Sequence, residues 1–470
     1  MKVSRFQRCL QFLVPLVFSL LLALVGTTRT RAQDPASQTP DLQQMQNKLD
    51  RLEKEMAELK QQMATAQQLT KAAVPGPTVP VVTETRGAEE HAEQTEPSTS
   101  LDVYGFVMLD SGYNFGAINP NWFDVVRPTQ LPSSAGQYGP NGSTFFGVRQ
   151  TRFGVKSSTD TPLGDLKTIF EFELFGTGAD AGQTTFRLRQ AYGELGQFGA
   201  GQTWSPFMDI DVFPNSLEYW GPPGMVFFRN VQVRWMPVRG ASNVVIALER
   251  PGATADGGAY SERLDLADVS PQFKWPDLSG HARLAREWGY VQVGAIVRKL
   301  AWVQTAAGPF NVSGTAIGWG VSVSSNLNFT KKDVGKFQVV YGDAIENYMN
   351  DATVDVAVQN NFSNPNMPIK GVAVPVLGVV SFLDHAWNDR FSSSIGYSLI
   401  NLDNTNAQLP NAFHQGQYAL ANLLYHPVRK VTIGGEFQFG RRVNFTNGYD
   451  FNDYRMQFSF RYDWSKGFEF

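Results

Sequence analysis

The sequence has 470 residues, of which 13% are aromatic, 18% are charged and 43 are glycine. A chain of this length can build one large closed sheet. Its formal net charge of −3 argues against a nucleic-acid-binding protein, which usually carries a basic stripe. The single cysteine, Cys9, lies near the N-terminus, so the rest of the chain has neither a disulfide framework nor a thiol nucleophile.

The N-terminal segment 1–32 is predicted to be a signal peptide. Basic residues precede the apolar run 10–25, and residues 30–32 (Thr-Arg-Ala) place small side chains at the two positions that a signal peptidase reads. We therefore expect the mature chain to begin at Gln33. Segment 1–32 holds five of the 40 basic residues and none of the 43 acidic residues, so the mature balance is 35 against 43, or −8.

Residues 33–70 are predicted to contain a coiled-coil oligomerisation helix. Apolar residues recur at alternating spacings of three and four, the heptad pattern of helices that pack against each other. Lys48 with Glu53, and Glu55 with Lys60, can form charge pairs between parallel neighbours. The alternative is a single amphipathic helix that lies on another protein or on the opening of the β-barrel predicted below for residues 101–470. The predicted seam consists of Leu42, Met45, Leu49, Leu52, Met56, Leu59 and Met63.

Residues 71–100 are predicted to form a flexible linker. This segment is rich in Pro, Thr and Glu and poor in aromatic residues, a composition that cannot bury a core. His91 within it is most simply a solvated side chain. The composition changes at Leu101, where a long pattern of alternating residues begins.

Residues 101–470 are predicted to form an all-β domain, a transmembrane antiparallel β-barrel. Apolar and polar residues alternate in successive stretches separated by turns and loops, and this period of two is typical of strands with one apolar face. A membrane-spanning strand needs about 9–11 residues, so the domain has room for about 16 strands. After the leader there is no apolar run of the roughly 18 residues that a membrane helix needs.

The last stretch, 454–470, shows this pattern most clearly. Its even-numbered positions are mostly aromatic and its odd-numbered positions are polar, as expected for a strand between lipid and a lumen. Because a closed barrel has no free edge, we expect this strand to pair with the first one, 101–115. The strand that ends at Phe470 is also the predicted signal for the barrel-assembly machinery. An amphipathic strand of a soluble all-β domain is the alternative.

The segment 205–229 is too apolar for a solvent-exposed loop. It is rich in aromatic residues and proline and carries few charges. In a barrel such a segment can fold into the lumen, where it would constrict the pore. The alternative is an outer loop buried at a subunit interface, since apolar loops often mark contacts.

The inward faces of the predicted strands carry more basic than acidic residues. Assigning the apolar residues to lipid leaves eleven basic and eight acidic candidates, although a register error of one residue would move several of them. The lumen is therefore expected to be cationic. The basic candidates are Arg152, Lys156, Lys167, Arg187, Arg189, Arg234, Arg283, Arg298, Arg442, Arg455 and Arg461. The acidic candidates are Asp102, Asp110, Glu171, Glu173, Glu249, Glu436, Asp453 and Asp463.

The hairpin segments FEFEL (170–174) and FRLRQ (186–190) place paired charges in this lumen. With the apolar residues outward, Glu171 and Glu173 point inward from one strand and Arg187 and Arg189 from its neighbour. Guanidinium groups in a narrow pore fit carboxylates and attract anions. The alternative is that the two glutamates satisfy the arginines and form a ladder that stiffens the wall. The residues predicted to line the pore and attract anions are Arg152, Lys167, Arg187, Arg189, Arg229, Arg234, Arg298, Arg455 and Arg461, with Glu171 and Glu173 as acidic lining.

Several stretches resemble the DcaP-like porins of the outer membrane, most closely between residues 104 and 235. They are YGFVMLDSGYNFG from Tyr104, RQTRFGVKSS from Arg149, GDLKTIFEFELFG from Gly164, AGQTTFRLRQAYGEL from Ala181 and AGQTWSPFMDIDVFPNSLEYWG from Ala200. The resemblance implies a homotrimer of 16-stranded barrels in the outer membrane of a Gram-negative cell. It also implies a pore narrowed by an inward loop and the passage of small anionic solutes such as dicarboxylates.

Other function classes have weaker support in the sequence. An outer-membrane hydrolase needs a nucleophile with a positioned base, but the histidines after the leader are scattered without ligand-like spacing. We therefore expect no enzymatic activity, no cofactor and no metal site. A structural envelope protein, with the coiled coil in the periplasm and the barrel as an anchor, is the second alternative. The expected partners are outer-membrane lipid, the barrel-assembly machinery, further copies of the chain and small anions, but no nucleic acid.

Overall fold

The computed structural model describes residues 98–261, 266, 268–306 and 310–470, together with Lys54. The chain divides into two units, Met1–Ala92 and Glu93–Phe470, and all described residues except Lys54 belong to the second. The predicted signal peptide, the coiled-coil seam and the linker up to residue 97 lie outside the described residues, apart from that one lysine.

Alternating sequence produces strands along the whole second unit. The strands are β1 (Thr99–Asn114), β2 (Ser143–Gly147), β3 (Arg152–Thr159), β4 (Leu166–Phe175), β5 (Thr184–Leu195), β6 (Phe198–Trp204), β7 (Arg229–Val238), β8 (Asn243–Glu249), β9 (Ala255–Asp256), β10 (Val269–Pro271), β11 (Asp277–Arg286), β12 (Gly289–Gln304), β13 (Gly314–Asn328), β14 (Asp333–Asp343), β15 (Val356–Asn360), β16 (Ile369–Ala373), β17 (Pro375–Asn388), β18 (Phe391–Leu402), β19 (Phe413–Tyr425), β20 (Val431–Asn444) and β21 (Asp450–Glu469). Short 3₁₀ helices span Pro120–Trp122, Pro128–Gln130, Gly178–Asp180, Ile210–Val212, Gly258–Tyr260 and Glu346–Tyr348.

The strands close into an antiparallel barrel with 16 positions around its circumference. Eighteen strands form one sheet, in which β2 and β3 share one position beside β1, and β10 and β11 share one beside β12. The first and last strands pair continuously from Ser100↔Glu469 to Asn114↔Arg455, so the barrel has no free edge. The predicted all-β barrel of about 16 strands is confirmed, as is the pairing of its first and last strands.

The two faces of β21 have different environments. Phe458 and Tyr462, at even positions, are each 52% exposed on the outside of the barrel, whereas Arg455, Gln457 and Ser459, at odd positions, are fully buried inside. In a membrane the exposed aromatic face meets lipid. Among the described residues, no helix is both long and apolar enough to cross a membrane.

Long loops lie at one end of the barrel and tight turns at the other. Both ends of the described unit, near Thr99 and Phe470, are at the end with the tight turns. Because barrels of the outer membrane have short periplasmic turns and longer extracellular loops, the long loops mark the extracellular end. Three of them matter for the site: L1 (115–142), L3 (205–228) and L6 (344–374). Strands β15 and β16 of L6 join β9 in a small separate sheet.

Loop L3 lies inside the barrel, as its apolar sequence predicts. The Asp209 carboxylate accepts hydrogen bonds from the inward-facing Tyr290 at 2.8 Å and Ser324 at 2.6 Å. Further along the loop, the backbone N–H of Val226 donates to Gln338 on β14 at 2.8 Å. Apolar side chains of L3 pack with others from L1, L6 and the inner wall in a buried core. Part of the lumen is therefore filled by protein, and the open pathway must pass beside L3.

Candidate functional site

Two arginines of β5 point into the lumen, and a β-bulge sets the position of one of them. Strand β4 alternates phenylalanines outward with Glu171 and Glu173 inward, and Glu173 pairs with Arg187 of β5. The register then shifts between Glu171 and its neighbour, which leaves Arg189 as the extra residue. A bulge of this kind re-aims a side chain, and here it places Arg189 between the two carboxylates.

Arg189 is fully engaged by these carboxylates. Its Nε lies 2.8 Å from Glu171 Oε1, its Nη1 donates to Glu173, and the side chain is only 4% exposed. Nη1 also donates to the Tyr219 hydroxyl at 3.2 Å, and that hydroxyl donates to Glu173. Removing one partner of such a buried pair typically costs about 3–5 kcal/mol. The surroundings of Arg189 therefore match the alternative interpretation of this hairpin, in which the two glutamates satisfy the arginine and stiffen the barrel wall.

Three further arginines surround the same carboxylates more loosely. Guanidinium nitrogens of Arg152, Arg187 and Arg229 lie 3.4, 3.6 and 3.8 Å from Glu173 oxygens. Among the described residues, each of these arginines has one buried nitrogen without a hydrogen-bond partner: Nε of Arg152, Nη1 of Arg187 and Nη1 of Arg229. The side chains of Arg152 and Arg187 are 25% and 28% exposed, whereas that of Arg229 is 6% exposed.

These six residues form one group, which we call the eyelet cluster: Arg152, Glu171, Glu173, Arg187, Arg189 and Arg229. Four guanidinium groups face two carboxylates, so the cluster carries a net charge of +2. The Tyr104 hydroxyl donates to Glu171 at 2.9 Å and occupies the other oxygen of that carboxylate. The charge, the exposure of two arginines and the unpartnered N–H groups make this part of the lumen suited to an anion.

Aromatic rings hold the eyelet cluster against L3. The guanidinium carbon of Arg229 lies 4.7 Å from the centroid of the Trp204 ring, at the start of the loop. Tyr219 stacks on Phe175 with centroids 4.0 Å apart, and Arg149 covers Phe175 at 3.9 Å. Cation–π contacts of this kind are stronger when water is excluded. The cluster is therefore positioned where L3 passes along the wall formed by β3, β4, β5 and β7.

Three other predicted residues face the lumen away from this cluster. Lys167 lies near the periplasmic end of β4, about half exposed, with its Nζ 3.3 Å from Asp165. Arg461 is 2.7 Å from Asp463 on its own strand, also toward the periplasmic end. Arg234 points into the lumen on the periplasmic side of L3, where its Nη2 donates to the Trp204 carbonyl at 3.4 Å.

Arg298 and Arg455 point inward as the alternation predicts, but the expectation that they line the open pore is wrong. Arg298 is fully buried by L6 and pairs with Asp277 at 2.9 Å and Asp355 at 2.8 Å. Arg455 is fully buried and its Nη2 donates to the Asp124 carbonyl of L1 at 2.6 Å. Strand periodicity gives the direction of a side chain, but it cannot show that a distant loop covers it.

One arginine outside the strands was not among the predicted residues. Arg127 of L1 lies between two indole rings, 4.1 Å from the centroid of Trp122 and 3.9 Å from that of Trp220. Its Nε donates to Asp351 of L6 at 2.9 Å. It therefore connects L1, L3 and L6. The sequence gives no periodic signal for it, because all its partners lie in loops. Among the described residues, no group of three or more potential ligands is placed to hold a metal ion.

Comparisons with known proteins agree with this architecture. The family model of the DcaP outer membrane protein matches residues 83–464. A search of curated proteins found no match. Among solved structures, the outer membrane channel DcaP of Acinetobacter baumannii has 20% identity and a TM-score of 0.64, with 78% of this chain and 97% of that chain covered.

Two more solved structures resemble this chain at lower similarity. The anion-selective porin from Comamonas acidovorans has 10% identity and a TM-score of 0.48, and the comparison covers 78% of this chain and 100% of that one. OprB of Pseudomonas putida has 11% identity and a TM-score of 0.44, with 78% and 94% covered. The family match extends over most of the chain and the barrel is closed around a partly filled lumen. The chain therefore belongs to the DcaP outer membrane protein family and is a porin of the outer membrane.

Proposed function

We propose that the pore favours small anions and that its solutes are dicarboxylate-like. The observation that carries this proposal is the eyelet cluster, in which four guanidinium groups outnumber two carboxylates and three buried nitrogens have no hydrogen-bond partner among the described residues. A fixed positive charge in a narrow lumen with low-dielectric walls raises the local concentration of anions. The two carboxylates of the cluster, Glu171 and Glu173, are already engaged by Arg189 and two tyrosines.

The spacing of the exposed arginines supports a solute with two carboxylates. Arg152 is on β3 and Arg187 is on β5, so the two lie on either side of β4. Two strand spacings amount to about 10 Å, and arginine side chains can shorten or lengthen this separation. A short dicarboxylate could therefore contact both guanidinium groups at once, each through a forked pair of hydrogen bonds.

The decisive experiment is a reversal-potential measurement in a planar bilayer across a salt gradient. The wild-type channel should be anion-selective, and Arg152→Gln combined with Arg187→Gln should reduce that selectivity. These two arginines are better targets than Arg189, whose removal would take the closest hydrogen-bond donor from two buried carboxylates and destabilise the wall. Arg441→Gln is the matched control, because Arg441 lies on the outward face of β20 and pairs with Asp450.

Cation selectivity of the wild-type channel would refute the proposal. An unchanged reversal potential in the double variant, with a normally folded barrel, would also refute it. Competition between succinate and chloride in the same channel then tests the dicarboxylate assignment, since a preference for chloride alone would limit the conclusion to simple anions.

We also infer a homotrimer, a role as a passive channel without catalysis, and a periplasmic position for the coiled-coil segment 33–70. The heptad pattern of that segment and the likeness to DcaP-like porins support the trimer. Assembly through the strand ending at Phe470 is part of the same proposal. Light scattering of the detergent-solubilised mature chain, with and without residues 33–97, gives the oligomeric state and shows whether the coiled-coil segment contributes to it. A monomer in both samples would exclude the trimer.

A further inference from the structure

A cavity separate from the eyelet cluster lies in the lumen on the periplasmic side of L3. It measures about 330 Å³ and is bounded by residues 204–210 and by the inward faces of β7, β8, β11 and β12. None of the six eyelet residues lines it. Its β7 lining extends to the turn at Arg239, which places it toward the periplasmic end. This volume is at the lower end of the roughly 300–1,000 Å³ that ligand pockets occupy.

Arg234 is the cation of this cavity that has no acidic partner. Among the described residues, no carboxylate oxygen lies within 4.0 Å of its guanidinium. Within the described part of the chain, its Nε is buried without a hydrogen-bond partner, and its one hydrogen bond is the 3.4 Å contact with the Trp204 carbonyl. The face of Tyr192 lies 4.5 Å from the guanidinium carbon and holds the group in place.

The other basic side chains at this cavity are engaged by neighbouring groups. Arg283 donates to Asp209 at 2.7 Å and to Asp211 at 2.5 Å. Arg239 lies 3.7 Å from Glu194. The His281 ring is held between the Pro206 carbonyl at 2.7 Å and Asn243 at 2.8 Å. Arg234 is therefore the guanidinium of this cavity that an entering anion can contact without displacing a carboxylate, although Glu194 and Glu249 lie near enough to act on its charge.

The rest of the lining contains apolar side chains. Met208 of L3, Met236 of β7 and Val245 of β8 contribute to the wall and are largely buried. Methionine side chains adapt to apolar chains of different shapes. A ligand that combines one carboxylate with a short hydrocarbon portion matches both the cation and this lining.

We propose that this cavity is a second solute site, in which Arg234 binds the carboxylate of a small monocarboxylate and Met208 and Met236 contact its apolar chain. The proposal depends on the proposed channel function only in that solutes must reach the lumen. It adds a second class of anion, and it places the binding position on the periplasmic side of the eyelet cluster.

The test is current block of the full-length channel in a planar bilayer, with hexanoate or acetate added to each side in turn. Wild-type channels should be blocked by hexanoate from the periplasmic side at lower concentration than by acetate. Arg234→Gln should weaken this block by about tenfold or more, the loss expected for a charge-assisted hydrogen bond. Met236→Ser should reduce the advantage of hexanoate over acetate.

Two controls separate this site from the eyelet cluster. Arg286→Gln removes an exposed arginine of β11 outside the cavity and should leave the block unchanged. The variant with Arg152→Gln and Arg187→Gln should have reduced anion selectivity but keep hexanoate block from the periplasmic side. If Arg234→Gln folds into a conducting channel and hexanoate block is unchanged, the proposal is wrong. Block that disappears only in the eyelet variant would assign the ligand to the eyelet cluster and also overturn the proposal.

Discussion

The Glu436 carboxylate accepts the backbone N–H of Leu217 at 2.7 Å, which fixes the tip of L3 to the inner face of β20. The other oxygen of Glu436 accepts the N–H of Glu218 at 3.1 Å. Asn422 and Gln438 donate to the same carboxylate at 2.9 and 2.7 Å and hold it in place. L3 is therefore attached to the wall by a carboxylate of which each oxygen accepts two hydrogen bonds.

We expect Glu436→Ala to release the tip of L3. The substitution leaves two buried backbone N–H groups without acceptors, at roughly 1–3 kcal/mol each. The thermal midpoint of the barrel should fall, and single-channel recordings should show a larger or noisier conductance. Asp102→Ala is the control, since Asp102 is an inward carboxylate near the periplasmic end that does not contact L3. Equal conductance in both variants would show that other contacts suffice to hold the loop.

Glu218 should make stability depend on pH. This loop carboxylate is buried and accepts the N–H groups of Val126, at 3.1 Å, and Gly221. Burial raises the pKa of Glu218 above its ordinary value of 4.5, although Arg455 opposes the shift. The folded state therefore binds this proton more readily than the unfolded state, so stability is greatest below the ordinary pKa and falls as pH rises toward the folded pKa.

Replacing Glu218 with Gln removes this titration while it keeps one carbonyl oxygen for the amides. The difference in thermal midpoint between Glu218→Gln and the wild type should therefore move in favour of the variant as pH rises from 4.5. A difference of one pH unit between the folded and unfolded pKa of a group corresponds to about 1.4 kcal/mol in the free energy of unfolding. Thermal unfolding in detergent at a series of pH values from 4.5 upward measures this difference in thermal midpoint. A difference that does not change with pH would mean that the pKa of Glu218 is not raised in the folded state.

The barrel could be predicted from sequence because the face to which a strand residue points depends only on its position relative to its neighbours in the chain. In a strand, residues two apart share a face, so the pattern at Phe458 and Phe460 gives the lipid side, and the one at Glu171 and Glu173 gives the lumen side. Hairpin connections then place each strand beside its neighbour in order. The same reasoning gave Arg152, Arg187 and Arg189 as inward residues, whereas Arg229 was predicted as part of the inward segment 205–229.

Whether each arginine is paired, buried or open to the pore could not be predicted, because this depends on residues far away in sequence. Arg189 is extra to the strand register only because of a bulge, which alternation does not reveal. Arg298 and Arg455 look equivalent to Arg152 in their strands, yet L6 and L1 cover them. The apolar composition of 205–229 indicated an inward loop, but L1 and L6 carry no comparable signal.

The three inward loops should separate when Arg127 is removed. Its guanidinium lies between Trp122 and Trp220 and bonds the fully buried Asp351 carboxylate. Arg127→Ala leaves that carboxylate without its charge partner, at about 3–5 kcal/mol. We expect faster proteolysis of the extracellular loops and altered tryptophan fluorescence. Arg127→Lys should be intermediate, because an ammonium group keeps the charge but cannot stack between the rings. The exposed Arg250→Ala is the control, and if Arg127→Ala shows the same proteolysis rate as this control, the loops are held together by their apolar contacts instead.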